Sequence, residues 1–146
     1  MTSSASTGNL SRLLHAGIPI PVRLKNGPGY IDSSEILAFR IRARKTYAVT
    51  PDGEIRTKRG MRWIKSHLAT LGGWVPIGRN YTVNLHLVHR ISKEKGISGH
   101  VLTFTDGTRL TLLPGYEDPV KAFFGVEDLV RIDYIPDPYK HLLDMG

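Results

Sequence analysis

The chain has 146 residues, 40% of them hydrophobic and 23% charged, which fits one globular domain large enough to bury a core. Lys and Arg outnumber Asp and Glu by 20 to 13, for a net charge of +7 and an isoelectric point near 9.9, so an anionic partner is expected. The absence of cysteine excludes disulfides, thiolate metal sites and a cysteine nucleophile, and no apolar run approaches the roughly 20 residues of a membrane span.

The charge is unevenly placed. Residues 1–116 hold 17 basic side chains against 6 acidic ones, whereas residues 117–146 hold 3 against 7. A positive body with a negative end draws a polyanion to one region and leaves the other free. The start MTSSASTGNLSR has no signal-peptide apolar region, and the expected setting is the cytoplasm.

In chain order, residues 1–19 are expected to form a flexible N-terminal segment with a short helical turn at 10–16. Pro19 and Pro21 favour extended backbone and Val22-Arg23-Leu24-Lys25 alternates, so folding should begin near Ile20. Asn26-Gly27-Pro28-Gly29 reads as a turn, followed by a return strand no longer than Tyr30-Ile31, with Asp32, Ser33 and Ser34 interrupting it.

From Ile36 a strand pair follows in which Phe39 and Ile41 alternate with Arg40 and Arg42, so that one face is apolar and the other carries arginine. Arg44 and Lys45 fall at the bend, and Pro51-Asp52-Gly53 closes the next turn. Ile55 continues into Thr57-Lys58-Arg59. Seven basic residues between Arg40 and Arg59 meet only Asp52 and Glu54, and their recurrence on adjacent strands and turns points to an anion-binding surface over a merely solvated one. Met61, Ile64, Leu68 and Leu71 predict an amphipathic helix over 60–71, ended by Gly72-Gly73, that covers a sheet face and leaves Arg62 and Lys65 outside.

The stretch WVPIGRNYTVNLHLVHR, starting at Trp74, is the most informative. Two short half-buried strands flank a polar loop that sets Arg79, Asn80 and Tyr81 side by side. A guanidinium fork, an amide and a phenol suit phosphates and base edges; a solvated turn is the bland alternative. Beyond it, Asp106-Gly107 marks a hairpin joining 99–104 to 108–113. Glu117-Asp118-Pro119 starts a helix whose apolar side is Val120, Phe123 and Phe124, up to Gly125. Residues 126–135 read as a strand or helix, and Pro136-Asp137-Pro138 separates an apolar end at 139–145.

Other chemistries find little support. His86 and His89, spaced His-x-x-His on a strand, would face opposite ways, and with His100 they read as surface or partly buried side chains; no metal site and no cofactor are expected. There is no nucleophile elbow, Walker loop or Gly-x-Gly-x-x-Gly motif, and Asp52 with Glu54 reads as a turn-solubilising pair, so no enzyme is expected. The aromatics fall mostly on apolar positions, which favours duplex DNA contacted by Arg and Lys over a single-strand stacking platform.

Over roughly residues 20–125 the chain resembles the LytTR family of bacterial DNA-binding domains. The resemblance rests on Ser34-Glu35-Ile36-Leu37 leading into a strand, on the segment from Tyr47 to Ile55 with its Asp-Gly turn, and on the amphipathic helix with Leu68. It rests most on Trp74-Val75-Pro76-Ile77-Gly78-Arg79-Asn80-Tyr81-Thr82-Val83-Asn84, similar to the family's aromatic-x-Arg-Ile-His-Arg-Ser-Tyr-Ile-Val-Asn signature, with the Asp106-Gly107 hairpin following in order. Gly78 stands where the signature has His, and Leu113-Pro114-Gly115 where a Ser-Arg pair begins the last contacting loop.

The resemblance implies a mainly β fold, short antiparallel strands in several small sheets with one or two short helices, whose basic loops enter the major groove of double-stranded DNA. It implies a sequence-specific transcription regulator, here without a receiver domain. Arg44, Lys45 and Arg79 are expected to read bases, Arg40, Arg42, Lys58, Arg59 and Tyr81 to hold phosphates, and Asn80 to share the Arg79 loop; Asn84 is expected to bond the backbone of its own turn. The alternative is a protein-interaction or anti-activator module that keeps the fold but not DNA binding. Candidate protein partners are a second copy or a regulator protein. The acidic extension at 126–146 has no counterpart in the family, and dimerisation, inhibition of DNA binding and partner contact are its open roles.

Overall fold

A computed structural model describes residues 17–129. The expected helical turn at 10–16 and the apolar end at 139–145 lie outside them. The chain opens with a two-stranded antiparallel hairpin, β1 (Pro19–Leu24) and β2 (Gly27–Asp32). The turn here is Lys25-Asn26 alone, and β2 is longer than Tyr30-Ile31: Pro28 lies within it, opposite Arg23. Each strand of a two-stranded sheet is an edge, where the missing proline N–H costs no ladder bond. A single 3-10 turn, Ser33–Glu35, follows, capped by Asp32, whose carboxylate accepts from the Ser34 N–H at 2.9 Å.

Next come β3 (Ala38–Arg42), β4 (Lys45–Thr50), β5 (Gly53–Arg56), helix α1 (Met61–Leu68), β6 (Trp74–Pro76) and β7 (Tyr81–Asn84). The strands form one antiparallel sheet in the order β5-β4-β3-β7-β6. Helix α1 stops three residues short of the expected Leu71, whose N–H closes a tighter turn onto the Leu68 carbonyl at 3.0 Å. Its apolar stripe is as the spacing predicts, with Ile64 and Leu68 buried and Arg62 and Lys65 exposed. A third sheet, β10-β9-β8, is built from β8 (Val88–Ser92), β9 (His100–Phe104) and β10 (Arg109–Leu112), with a bulge between Val88 and Arg90. Helix α2 (Glu117–Phe124) ends on Gly125 in the left-handed region at φ 67°, its N–H reaching the Ala122 carbonyl while that of Val126 reaches Lys121.

The central sheet separates two cores. One face of it, with Phe39 and Ala48, packs on Ile64 and Leu68 of α1 and on Ile20 and Val22 of β1. The other, with Ala38, Val75 and Val83, packs on Ile91, Leu102, Phe104 and Leu112 of the third sheet and on Val120 of α2. Within the expected C-terminal extension, Leu129 is buried in this second core and Val126 packs against it. Of the strand or helix expected over 126–135, residues 126–129 form neither, and 130–135 lie outside the described residues.

Candidate nucleic-acid interface

Strand direction decides which loops meet. Because β3 is antiparallel to both β4 and β7, and these in turn to β5 and β6, the ends of β3, β5 and β6 and the starts of β4 and β7 share one end of the central sheet. Residues 43–44, 57–60 and 77–80 therefore emerge together. With the flanking strand ends they carry Arg42, Arg44, Lys45, Arg56, Lys58, Arg59 and Arg79, and no carboxylate. The loops at the opposite end, residues 33–37, 51–52, 69–73 and 85–87, carry Glu35 and Asp52 and no lysine or arginine. The sheet is thus electrically polar along its strands, with a concentrated positive potential at one end.

Each loop is fixed by backbone bonds. The β3–β4 hairpin turns on Ala43-Arg44 rather than Arg44-Lys45, since Lys45 already pairs with Arg42. Both turn residues have positive φ, 53° for Ala43 and 66° for Arg44, the signature of a type I′ turn that matches strand twist but strains any non-glycine residue. The Arg79-Asn80 loop is held to β3 by the Ile41 N–H on the Asn80 carbonyl, 2.9 Å, and to the end of β10 by the Leu113 N–H on the Ile77 carbonyl, also 2.9 Å. The segment after β5 is tied down where Thr57 donates to the Thr46 carbonyl and Lys58 to the Pro21 carbonyl, 3.0 Å each. Arg44, Lys45, Lys58, Arg59, Arg79 and Asn80 are all exposed on this frame.

Arg40 and Arg42 are differently engaged. Across the sheet, Arg56, Tyr47, Arg40 and Tyr81 lie in one cross-strand row on the same face. The Arg40 guanidinium sits 5.3 Å from the Tyr81 ring centroid and that of Arg42 4.4 Å from Tyr47, within cation–π range. Glu54 accepts from both, at 2.9 Å from Arg40 and 3.2 Å from Arg42. Glu54 is therefore a bridge between two arginines rather than one half of a turn-solubilising pair, and Tyr47 is a stacking partner; neither role shows in the local sequence. The Tyr47 contact comes from the β3–β4 pairing, and the Glu54 bridge from register across β3, β4 and β5.

Arg109, ion-paired to Glu94, lines a groove with Arg79, Asn80 and Tyr81 on one wall and Leu110 and Leu113 on the other. Gly78 touches this wall, and a Cβ there would lie 3.2 Å from the Leu113 side chain. A roomier groove, about 880 Å³, runs between the first hairpin and α1, with Lys58 and Arg59 on its rim beside Trp63, Pro19 and Pro21. Asn84 is buried and holds the chain beyond β7: its carbonyl accepts from the His86 N–H at 3.1 Å and its amide reaches the Ile36 carbonyl at 3.3 Å. His100 is buried, 3.5 Å from the Glu117 carboxylate; burial and the neighbouring Lys93 outweigh Glu117 and push its pKa below the usual 6.5. Burial likewise lowers His86. Among the described residues no three His, Asp or Glu side chains cluster as metal ligands, and no helix is long and apolar enough to cross a membrane.

No curated protein matches the chain. Among solved structures, a LytTr DNA-binding domain from Bacillus cereus has the same fold, with a TM-score of 0.62 at 16% identity over 73% of this chain and 96% of that one. The model of the LytTr DNA-binding domain family matches residues 29–122. That span holds the central sheet, all three loops of its basic end and the hairpin closing the second core, and the chain belongs to the LytTr DNA-binding domain family.

Proposed function

We propose that the protein is a sequence-specific binder of double-stranded DNA and a transcription regulator, and that the basic end of its central sheet enters the major groove. The observation that carries this reading is the convergence of three loops and seven cations at an end without carboxylates, against an opposite end without cations. Arg44, Lys45 and Arg79, with Asn80, read base edges, where a planar donor fork and an amide discriminate best. Lys58 and Arg59 hold phosphates from the segment after β5; Arg40 and Arg42 do so from the adjoining face, and Tyr81 through its hydroxyl. No chemistry on the nucleic acid is assigned to these residues. The setting is the cytoplasm, and residues 20–125 form the binding unit, whose second core is completed by Val126 and Leu129 at the start of the acidic segment 126–146.

The experiment is selection of bound duplex from a random pool by wild type and by Arg79→Ala. Wild type should enrich a defined site, and the variant should discriminate against mismatches by about 1–3 kcal/mol less at one or two positions. Equal enrichment by both would remove Arg79 from the readout, and no enrichment by wild type would remove sequence specificity.

One observation favours a protein-interaction module instead. Leu113, 43% exposed, lies against Gly78 and places an apolar patch beside the Arg79 loop. On that reading wild type recovers a regulator or a second copy stoichiometrically and shifts no duplex at low salt.

A further inference from the structure

We infer that Glu54 competes with DNA phosphates for Arg40 and Arg42, limiting the protein's grip on DNA of any sequence. The inference rests on the DNA-binding reading above and deepens it. The carboxylate offers two acceptor oxygens to two guanidinium groups, Oε2 to Arg40 and Oε1 to Arg42, the charge and denticity a phosphate would present. Neither arginine is sealed off. The Arg42 side chain is 51% exposed and those of Arg40 and Glu54 are each 29% exposed, so the three can exchange partners without opening the core.

The position of the trio gives the exchange its consequence. Arg42 ends β3, directly before the Ala43-Arg44 turn, and Arg40 stacks on Tyr81, the residue after the Arg79-Asn80 loop. A duplex seated on those loops brings its backbone against this face. The Nε of Arg40 is buried and makes no hydrogen bond to the described residues, so the exchangeable contacts of this side chain are those of its terminal nitrogens. When phosphates take both arginines, Glu54 loses its partners and recruits one solution cation, which cancels the release of one counterion from the DNA. Without Glu54 that release is recovered.

The test is Glu54→Gln, which keeps shape and removes charge, with Asp52→Asn at the opposite end of the sheet as the control for overall charge. Binding to random 30-base-pair duplex is measured by anisotropy across a salt series. Glu54→Gln should bind more tightly, by up to roughly eightfold near 0.1 M salt, with the log–log salt slope steeper by up to about 0.9, the one counterion a single carboxylate can recruit. Asp52→Asn should change far less, and in an Arg40→Gln, Arg42→Gln background Glu54→Gln should have no effect. A variant that misfolds cannot mimic this outcome, since the expected change is a gain. Equal or weaker binding by Glu54→Gln, or an equal gain from Asp52→Asn, overturns the inference while leaving the DNA-binding reading standing. Wild type that fails to bind duplex at low salt overturns both.

Discussion

Replacing Arg44 by glycine should make the protein more stable and a poorer DNA binder at once. Ala43 and Arg44 both hold positive φ at the tip of the β3–β4 hairpin, where Asn-Gly is the preferred pair. A left-handed non-glycine residue costs about 1–2 kcal/mol, and the larger unfolded-state freedom of glycine offsets about 0.5–1 kcal/mol of the relief. Arg44 is exposed, so no packing is lost. The net gain is about 0.5–1 kcal/mol, or roughly 2–5 °C in Tm for a domain of this size. On DNA, loss of one base contact should cost about 1–3 kcal/mol, a weakening of roughly 5- to 150-fold on the selected site and much less on random duplex. Thermal unfolding followed by circular dichroism reads the first quantity and anisotropy on the two duplexes the second. A lower Tm would refute the strain argument, and unchanged discrimination would refute the role of the hairpin tip.

Other outcomes follow from the same frame. Lys58→Ala should weaken all duplexes alike and flatten the salt slope by about 0.9, and a sequence-dependent effect would contradict its assignment to the backbone. Asn84→Ala removes the side-chain partners of the His86 N–H and the Ile36 carbonyl and should destabilise by about 2 kcal/mol in urea unfolding; a change below about 0.5 kcal/mol would show that those bonds are replaced. The folded-state pKa values of His100 and His86 lie below 6.5, so as pH falls through that value the unfolded chain takes up protons that the native state resists. Their contribution to stability is fully present above pH 6.5 and is lost as pH falls towards the folded-state values. Tm should therefore drop below pH 6.5, and His100→Gln should make the drop shallower; a slope identical to wild type would place His100 outside the effect.

Much of this architecture is visible in local pattern. Alternation around Gly78 locates β6 and β7, Asp106-Gly107 locates the last hairpin, and Gly125 ends α2 in the conformation its lack of a Cβ allows. Pro28 departs from this pattern and sits within β2, because proline is a strand breaker only where its missing N–H is needed. Helix α1 is shorter than its hydrophobic spacing, which continues to Leu71 although the backbone leaves the helix after Leu68; Leu71 still packs on the α1 core from a turn. The candidate site was legible residue by residue but not as a surface. Arg44 and Arg79 lie 35 positions apart in the chain, and only the β3–β7 pairing brings their loops to one end. The Glu54 bridge depends on register across β3, β4 and β5, which no local pattern encodes.

The most direct measurement is the map of backbone amide shifts as a selected duplex is titrated into labelled protein. Perturbations confined to residues 40–45, 54–60 and 77–81, with the Asp52 and Asp106 turns unmoved, are the result expected of a basic sheet end docked in the groove. Shifts concentrated at those acidic turns or along the outer face of α1, with Arg44 and Arg79 silent, would contradict it.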